Sequence, residues 1–448
     1  MQSKGLLEQL EQRGMIDQVT NRAALDELLA KPGASIYVGF DPTADSLHVG
    51  HMLPALMLAR FQHAGHRPIV LVGGATGMIG DPSGRGAERQ LLSLEAIREN
   101  AIAVGRQLAR FVSFEGDNPA VMVNNADWTA PISHLEWLRD VGKHFTVNYM
   151  MAKESVRRRL EDREHGISYT EFSYMLLQAH DFLYLYDHHG CAIQAGGSDQ
   201  WGNITAGIEL IRKVRRGHVG TVHAGTGHAG TDQAGAGEAF GITFPLLETS
   251  SGEKFGKSAG NAVWLDPART SPYQFYQYWI RTDDRDVEKL LKLFTFLEVE
   301  EIDAIVAAHV QAPEQRGAQK RLAEEVTRLV HGDANLAQAM KSSEALFGGE
   351  ISGLSDRDLA DIFADVPSFT LAESDIERGL RLPELLVRAG AAKSKGEATR
   401  LISGGGVYLN NRRVDGAEST LQRDQLASET MFVVRVGKKS YYLGRITR

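Results

Sequence analysis

The stretch Tyr37–Met52, YVGFDPTADSLHVGHM, decides the fold. Together with the two residues ahead of it, SIYVG (35–39) is a short apolar run that reads as a buried strand, and GFDPT makes a turn through Gly39, Asp41 and Pro42. MLPALMLARFQHAGH then shows helical apolar spacing, and PIVLVG (68–73) reads as a second buried strand. Strand, helix and strand in that order form the repeating unit of a parallel sheet. His48 and His51 open the helix three residues apart. They face one way, among unpaired N–H groups and the positive end of the helix dipole, a setting suited to anions.

A metal site competes for the same histidines, because His63 and His66 follow at HAGH. Twelve helical steps separate the two pairs by about 18 Å at ~1.5 Å per residue. That exceeds a shared coordination sphere, and neither Cys nor carboxylate stands at ligand spacing, so no metal site is expected. On this stretch alone, a polar helix start and a phosphate grip remain alternatives.

The alternation continues outward. A helix is expected near 92–113, a strand at 119–124, a helix near 171–185, a strand at 191–195, a helix over 201–216 and a strand at 242–247. The fold class is therefore α/β, with a doubly wound, mostly parallel sheet over 1–268. Residues 219–239, rich in Gly, Ala and Thr, read as an insertion whose His223 and His228 are solvated. Apolar spacing of 3.6 residues marks an α-helical domain over 269–345. Residues 346–378 read as a linker with some weak helix, and 379–448 as a small α+β domain with two short helices before its strands.

Charge separates this last domain from the rest. From Arg381 to Arg448 there are thirteen Lys/Arg against six Asp/Glu, a balance of +7, which leaves −15 on the remainder of a chain whose total is −8. The total charge does not advertise a nucleic-acid binder, but a small basic module on an acidic body is a different object from a uniformly acidic protein. The single cysteine, Cys191, excludes an intramolecular disulfide and reads as a core residue of a protein kept in a reducing compartment. With no uninterrupted apolar segment of membrane length and no leader pattern in MQSKGLLEQLEQRG, a cytoplasmic location without membrane association is expected.

Four further stretches carry chemistry. GGATGMIGDPSGRGAER (73–89) fits neither the dinucleotide nor the Walker glycine spacing, and leaves a turn bearing Asp81 with Arg85 and Arg89 beyond it. YTEFSYMLLQAHDF puts Tyr174, Gln178 and Asp181 on one stripe of a largely apolar helix. AGGSDQWGN (195–203) ends a strand with two glycines and offers Asp199 and Gln200 at a helix start, which faces the ligand crevice in a doubly wound sheet. GEKFGKSAGN (252–261) holds Lys254 and Lys257 on a glycine-bearing loop able to cover a polyphosphate.

Together these pieces resemble the bacterial tyrosyl-tRNA synthetases over almost the whole chain. His48-Val-Gly-His51 looks like the HIGH signature of class I aminoacyl-tRNA synthetases, and Lys254-Phe-Gly-Lys257-Ser258 like their KMSKS loop. YVGFDPT, GDPSG, FSYMLLQAHD and GGSDQWGNI match the tyrosine-specific set in order and spacing. The resemblance implies a Rossmann-like catalytic domain, an anticodon-binding helical domain and a C-terminal S4-like RNA-binding domain. The implied activity is a tyrosine–tRNA ligase: tyrosine and ATP, with Mg²⁺, give tyrosyl-adenylate and pyrophosphate, and the tyrosyl group passes to the 3′-terminal ribose of tRNA. A homodimer is implied too, with GKHFTVNYMM (142–151) matching the interface segment.

The residue roles come from the same resemblance. Catalytic contacts to phosphate fall to His48, His51, Thr43, Lys254 and Lys257, with Arg85 and Arg89 nearby. Tyr37 and Asp181 meet the phenol hydroxyl of tyrosine, Asp81, Tyr174 and Gln178 hold its ammonium, and Gln200 stands near its carboxylate. Gly39, Asp41, Gly197 and Asp199 line the adenylate, with Lys257 on ATP. Lys393, Lys395, Arg400, Arg412 and Arg413 meet RNA phosphates. No prosthetic group is implied. Phe-Gly inside the lysine loop replaces Met-Ser, and Arg85 stands where a lysine is expected. A tryptophan ligase on a related fold and a non-catalytic RNA-binding relative are the competing functions; Tyr37 with Asp181 favours a phenol over an indole, and the intact histidines and lysines argue for catalysis.

Overall fold

The computed structural model describes residues 5–83, 92–161, 166–218, 238–250, 252, 255–258, 261–345, 349, 351, 353–437 and 440–447. They form two compact units, one running to Asp266 and including Asp283–Ala318, the other comprising Pro267–Thr282 and Gln319 onward.

The first unit is built on a six-stranded sheet. Its strands are β1 (Gln18–Val19), β2 (Ser35–Phe40), β3 (Arg67–Val72), β4 (Val121–Asn124), β5 (Cys191–Gly197) and β6 (Phe240–Phe244), in the spatial order β1-β6-β5-β2-β3-β4. All neighbours pair in parallel except β1, which is antiparallel to β6. β2 and β3 are near-continuous apolar runs because both faces of a parallel sheet are covered. Tyr37 is in register with Ile69 on one side and Gln194 on the other. Strand order turns around beside β2, so the crevice at the carboxyl ends of β2 and β5 is the expected ligand position of such a sheet.

The helices follow the sequence pattern closely. Met52–His63 is buried over ten of its twelve residues, since it is apolar on nearly every face. Tyr169–His189 begins at Ser168, whose hydroxyl accepts from Glu171 N–H, and stops at Gly190, which takes the left-handed φ of +63°. Cys191 is buried, as a small core residue would be. The glycine-rich turn after β3 is tighter than expected and contains one helical turn, Thr76–Ile79. The last expected strand of this sheet, at 242–247, is observed at 240–244. The insertion lies almost entirely outside the described residues.

The expected domain limits need correction. Helices Val287–Phe294 and Val299–Gln311 belong with the first unit, whereas Pro272–Ile280 belongs with the second, so 269–345 is not one body. In 346–378 the weak helix expected in the linker is present as Asp356–Ile362, but the stretch also carries strand β9 (Ser368–Ala372), and its Ile351, Leu354, Leu359 and Phe363 are buried in one cluster with Met431, Val433 and Leu443. The β9 sequence, SFTLA, alternates polar and apolar residues, with Leu371 buried and Phe369 partly buried, but the run is only five residues long.

Two-residue strands β7 (Lys257–Ser258) and β8 (Asn261–Ala262) pair with each other in the first unit. In the second, β9 joins β10 (Val407–Leu409), β11 (Arg412–Arg413), β12 (Met431–Val436) and β13 (Ser440–Thr447) in the order β11-β10-β12-β13-β9. Helices Leu382–Arg388 and Lys395–Ser403 supply Leu385, Leu386, Ala398 and Ile402 to the core that includes Phe432 and Val434. β10 and β11 are joined by Asn410-Asn411, both at positive φ (48° and 63°), a backbone that asparagine tolerates in a two-residue hairpin turn.

Candidate active site

A cavity of about 560 Å³ opens at the carboxyl ends of β2 and β5. Thirteen of the expected site residues line it: Tyr37, Gly39, Asp41, Thr43, His48, His51, Asp81, Tyr174, Gln178, Asp181, Gly197, Asp199 and Gln200. They come from four separate stretches of chain, gathered by the strand–helix alternation. Arg85, Arg89 and Lys254 lie outside the described residues, as does the side chain of Lys257.

The histidine pair is more constrained than a simple helix start. Val49–His51 forms a 3₁₀ turn ahead of the α-helix, with His48 as its cap. Gly50 N–H donates to His48 Nδ1 at 3.0 Å, and His48 N–H donates to His51 Nδ1 at 3.2 Å. The two rings lie 4.0 Å apart, centroid to centroid. A ring nitrogen that accepts carries no proton, so each neutral imidazole has its N–H at Nε2 and is a donor there. The backbone thus sets both rings with their N–H at Nε2, an arrangement suited to an anion. Among the described residues no three His, Cys, Asp or Glu are grouped to hold a metal ion.

A second cluster is built around carboxylates. Asp41 accepts from Thr76 Oγ1 at 2.7 Å and from the Tyr174 hydroxyl at 2.9 Å. Gly73 must lack a side chain here, since a Cβ would strike the Asp41 carboxylate and Thr76 Oγ1. Asp81 accepts from Gln200 Nε2 at 2.7 Å and from Ser83 N–H at 2.9 Å. Asn203 Nδ2 donates to both Gln178 and Gln200 at 3.1 Å, tying the three amides together. Burial, reinforced by Asp41 and Asp81, pushes the Tyr174 phenol well above its ordinary range, so it stays a donor. Two carboxylates and several amide oxygens form a setting that recognises an ammonium group.

The third group is the most buried. Asp181, 1 % exposed, accepts from Asn125 Nδ2 at 2.9 Å and from Trp128 Nε1 at 2.8 Å. Burial raises its carboxyl to about 7 against the pull of those two bonds. Tyr37, equally buried and tilted against Phe182 at 5.4 Å, is pushed well above the usual phenol range by burial and then by Asp181. Among the described residues its hydroxyl has no hydrogen-bond partner, and neither does Oε1 of Gln194, its register neighbour on β5. A donor, a carboxylate acceptor and an apolar wall suit a ligand that ends in a hydroxyl.

Sequence reasoning missed Thr76, Asn125, Trp128, Gln194, Asn203 and Trp264. Asn125 directly follows β4, and strand ends at this edge of the sheet carry ligand contacts, so its position was a usable signal. Trp264 had none: an antiparallel bridge with His48 brings it in from far along the chain.

The five expected RNA contacts lie in the second unit, and all five side chains are exposed. Lys395 is bonded to Glu384 at 2.8 Å, and the Arg413 guanidinium lies over Gly405. Arg412 and Arg413 line a separate cavity of about 620 Å³ beside Asn410 and Asn411.

Comparisons with known proteins agree with this geometry. Residues 30–348 match the family described as tRNA synthetases class I (W and Y), and 358–444 match the C-terminal domain of tyrosine–tRNA ligases. The chain is 52 % identical to a tyrosine–tRNA ligase of Roseiflexus castenholzii, over 94 % of this chain and 95 % of the relative. It is 50 % identical to that of Geobacillus stearothermophilus, over 98 % and 99 %. Among solved structures, a C-terminally truncated mitochondrial tyrosyl-tRNA synthetase of Aspergillus nidulans aligns with a TM-score of 0.67 and 34 % identity, over 77 % of this chain and 94 % of that one. A tryptophanyl-tRNA synthetase of Encephalitozoon cuniculi shares the fold at 12 % identity, TM-score 0.51, over 80 % of this chain and 90 % of that one. The chain belongs to the class I tRNA synthetases and, within them, to the tyrosine–tRNA ligases.

Proposed function

We propose that this cavity holds tyrosine beside ATP and forms tyrosyl-adenylate, which the chain then uses to load its tRNA. The observation that carries the assignment of the amino-acid end is the pair Tyr37 and Asp181. A tyrosine hydroxyl donates to the Asp181 carboxylate and accepts from the Tyr37 hydroxyl, which has no other partner among the described residues. Phenylalanine leaves the buried Tyr37 hydroxyl unpaired and brings Asp181 no further donor beyond Asn125 and Trp128, a penalty that discriminates strongly, and tyrosyl enzymes are themselves the standard example of it. Asp81, Tyr174 and Gln178 hold the ammonium, and Gln200, fixed by Asp81 and Asn203, stands towards the carboxylate.

That carboxylate is the nucleophile, so no general base is needed. It attacks the α-phosphorus, and the bond to the pyrophosphate oxygen breaks. His48 and His51, with Nε2–H donors fixed by the backbone, stabilise the charge that grows on the triphosphate, together with Thr43, Lys254, Lys257, Arg85 and Arg89. Mg²⁺ arrives with ATP. Gly39, Asp41, Gly197 and Asp199 border the adenylate, with Asp199 on the ribose. Lys393, Lys395, Arg400, Arg412 and Arg413 meet tRNA phosphates.

We infer a cytoplasmic homodimer as the working form. Leu135, Leu138, Val147 and Met151 are exposed apolar side chains in and beside the 142–151 segment, which supports a partner surface there.

Amino-acid-dependent ATP–pyrophosphate exchange across all twenty amino acids tests the assignment. Exchange with tyrosine alone is expected, and a response to tryptophan but not tyrosine overturns it. His48→Ala should slow exchange by about 10²-fold or more while tyrosine affinity stays nearly unchanged.

A further inference from the structure

Backbone hydrogen bonds sew the segment Phe255–Gly256 to the histidine turn. Val263 N–H donates to the Gly256 carbonyl at 3.0 Å, and Val49 N–H donates to the Val263 carbonyl at 3.0 Å. Leu265 N–H donates to the Leu47 carbonyl at 2.8 Å, which frames the bridge between His48 and Trp264. Trp264 is edge-on to His48, ring centroids 6.1 Å apart, and lines the cavity.

Gly256 sits where this stitching is tightest. Its φ is +87°, a region that strains any L side chain. A Cβ there would lie 3.0 Å from Val49 Cγ2 and 3.5 Å from the Gly50 nitrogen. The segment cannot simply swing away from such a clash. Phe255 is buried and stacked on Phe294, with centroids 5.4 Å apart and planes 12° apart. Phe294 ends a helix whose following carbonyls are gripped by two arginines: Arg13 donates to Leu297 O at 2.7 Å, and Arg60 donates to Thr295 O.

We propose that Gly256 is a positioning residue for adenylate formation: its bare, left-handed backbone lets Phe255–Gly256 lie against Val49 and Gly50 and so fixes the His48 turn. The proposal rests on the assignment of that turn to the triphosphate. Val49 and Gly50 directly follow His48, and Gly50 N–H holds the His48 ring, so a displacement of a few tenths of an ångström at Val49 passes directly to the imidazole. The phenol end of the cavity is secured by other bonds, through Asn125, Trp128 and Asp181. Misplacement at residue 256 therefore reaches the phosphate chemistry and spares tyrosine binding.

The experiment compares the unaltered full chain, Gly256→Ala and the double variant Val49→Ala/Gly256→Ala. It measures kcat for tyrosine-dependent ATP–pyrophosphate exchange and the equilibrium dissociation constant for tyrosine. Gly256→Ala should lower kcat by about tenfold or more, with tyrosine affinity within about twofold, because small misplacements are felt in the transition state. The double variant, with the clashing Val49 Cγ2 removed, should regain about threefold or more of the lost kcat, where two independent structural defects would add. A tyrosine affinity that falls in step with kcat, a kcat within about twofold of the unaltered chain, or a double variant no better than the single one overturns the proposal. If the unaltered chain shows no exchange with tyrosine, the function itself fails and this proposal with it. Exchange by the unaltered chain with an indifferent Gly256→Ala refutes the proposal alone.

Discussion

The indole N–H of Trp128 donates to Asp181 Oδ1 at 2.8 Å, while Asn125 occupies the other carboxylate oxygen. Both bonds favour the charged carboxylate, and burial favours the neutral acid. Burial wins by enough to leave the group near neutrality, at about 7. One more donor from a bound phenol tips the balance to the carboxylate.

Tyrosine affinity should therefore depend on pH. Binding favours ionised Asp181, so below about pH 7 a proton must leave for each tyrosine bound. The dissociation constant should rise as pH falls, approaching about tenfold per unit, and level off above neutrality. Equilibrium binding from pH 5.5 to 8.5 checks this. A flat profile, or tighter binding in acid, contradicts it.

Arg159 and Glu171 form a forked pair at 3.1 and 2.9 Å, with both side chains about 4 % exposed or less. Arg159 also donates to the Gly166 carbonyl at 2.8 Å. Glu171→Ala leaves a buried guanidinium without its anion and should cost about 3–5 kcal/mol in urea unfolding. Replacing both residues with apolar ones of similar volume should cost less. A loss under about 1 kcal/mol for the single variant would mean that water reaches the arginine.

If the Leu135–Met151 face is the dimer surface, Val147→Glu places a charge in its apolar part. The variant should sediment at the monomer mass of 49.1 kDa, while the unaltered chain sediments at twice that. Equal sedimentation of the two chains counts against this face.

The RNA role of the basic domain is best tested without truncation, because removing residues from 379 onward strips β9 of its partner strand and bares the buried residues of 351–363. Changing Lys393, Arg400 and Arg413 to Gln should raise KM for tRNA and leave pyrophosphate exchange intact. The slope of log affinity against log salt should flatten by about 0.7–0.9 for each phosphate no longer neutralised. Lys395, already bonded to Glu384, should matter less. Unchanged charging across salt removes the domain from tRNA binding.

Much of this was legible in the sequence, for identifiable reasons. β2, β3 and the helix between them are buried on nearly all sides, so their apolar runs are unambiguous. Asp41 directly after β2 and Asp199 just after β5 stand at strand ends that face the crevice, and Asp81 closes the glycine-rich turn beyond β3, which made all three readable as site residues. Trp128 and Gln194 were not, because a lone indole in a short turn of helix, or an amide in an apolar strand, looks like core until its neighbours are known. β9 escaped although SFTLA alternates polar and apolar residues, because an edge strand of five residues offers only Phe369 and Leu371 as a signal. The domain limits failed where helical spacing, a local property, was used to assign membership, a long-range one.

β9 also sets a timetable. Among the described residues its only pairing neighbour is β13, about seventy residues later, in parallel register from Ser368–Leu443 to Ala372–Thr447. A ribosome adding roughly 5–20 residues per second needs on the order of ten seconds to cover that distance. For that interval β9 has no partner strand, so this sheet can close only after β13 has emerged, as the slow long-range step of the unit's folding.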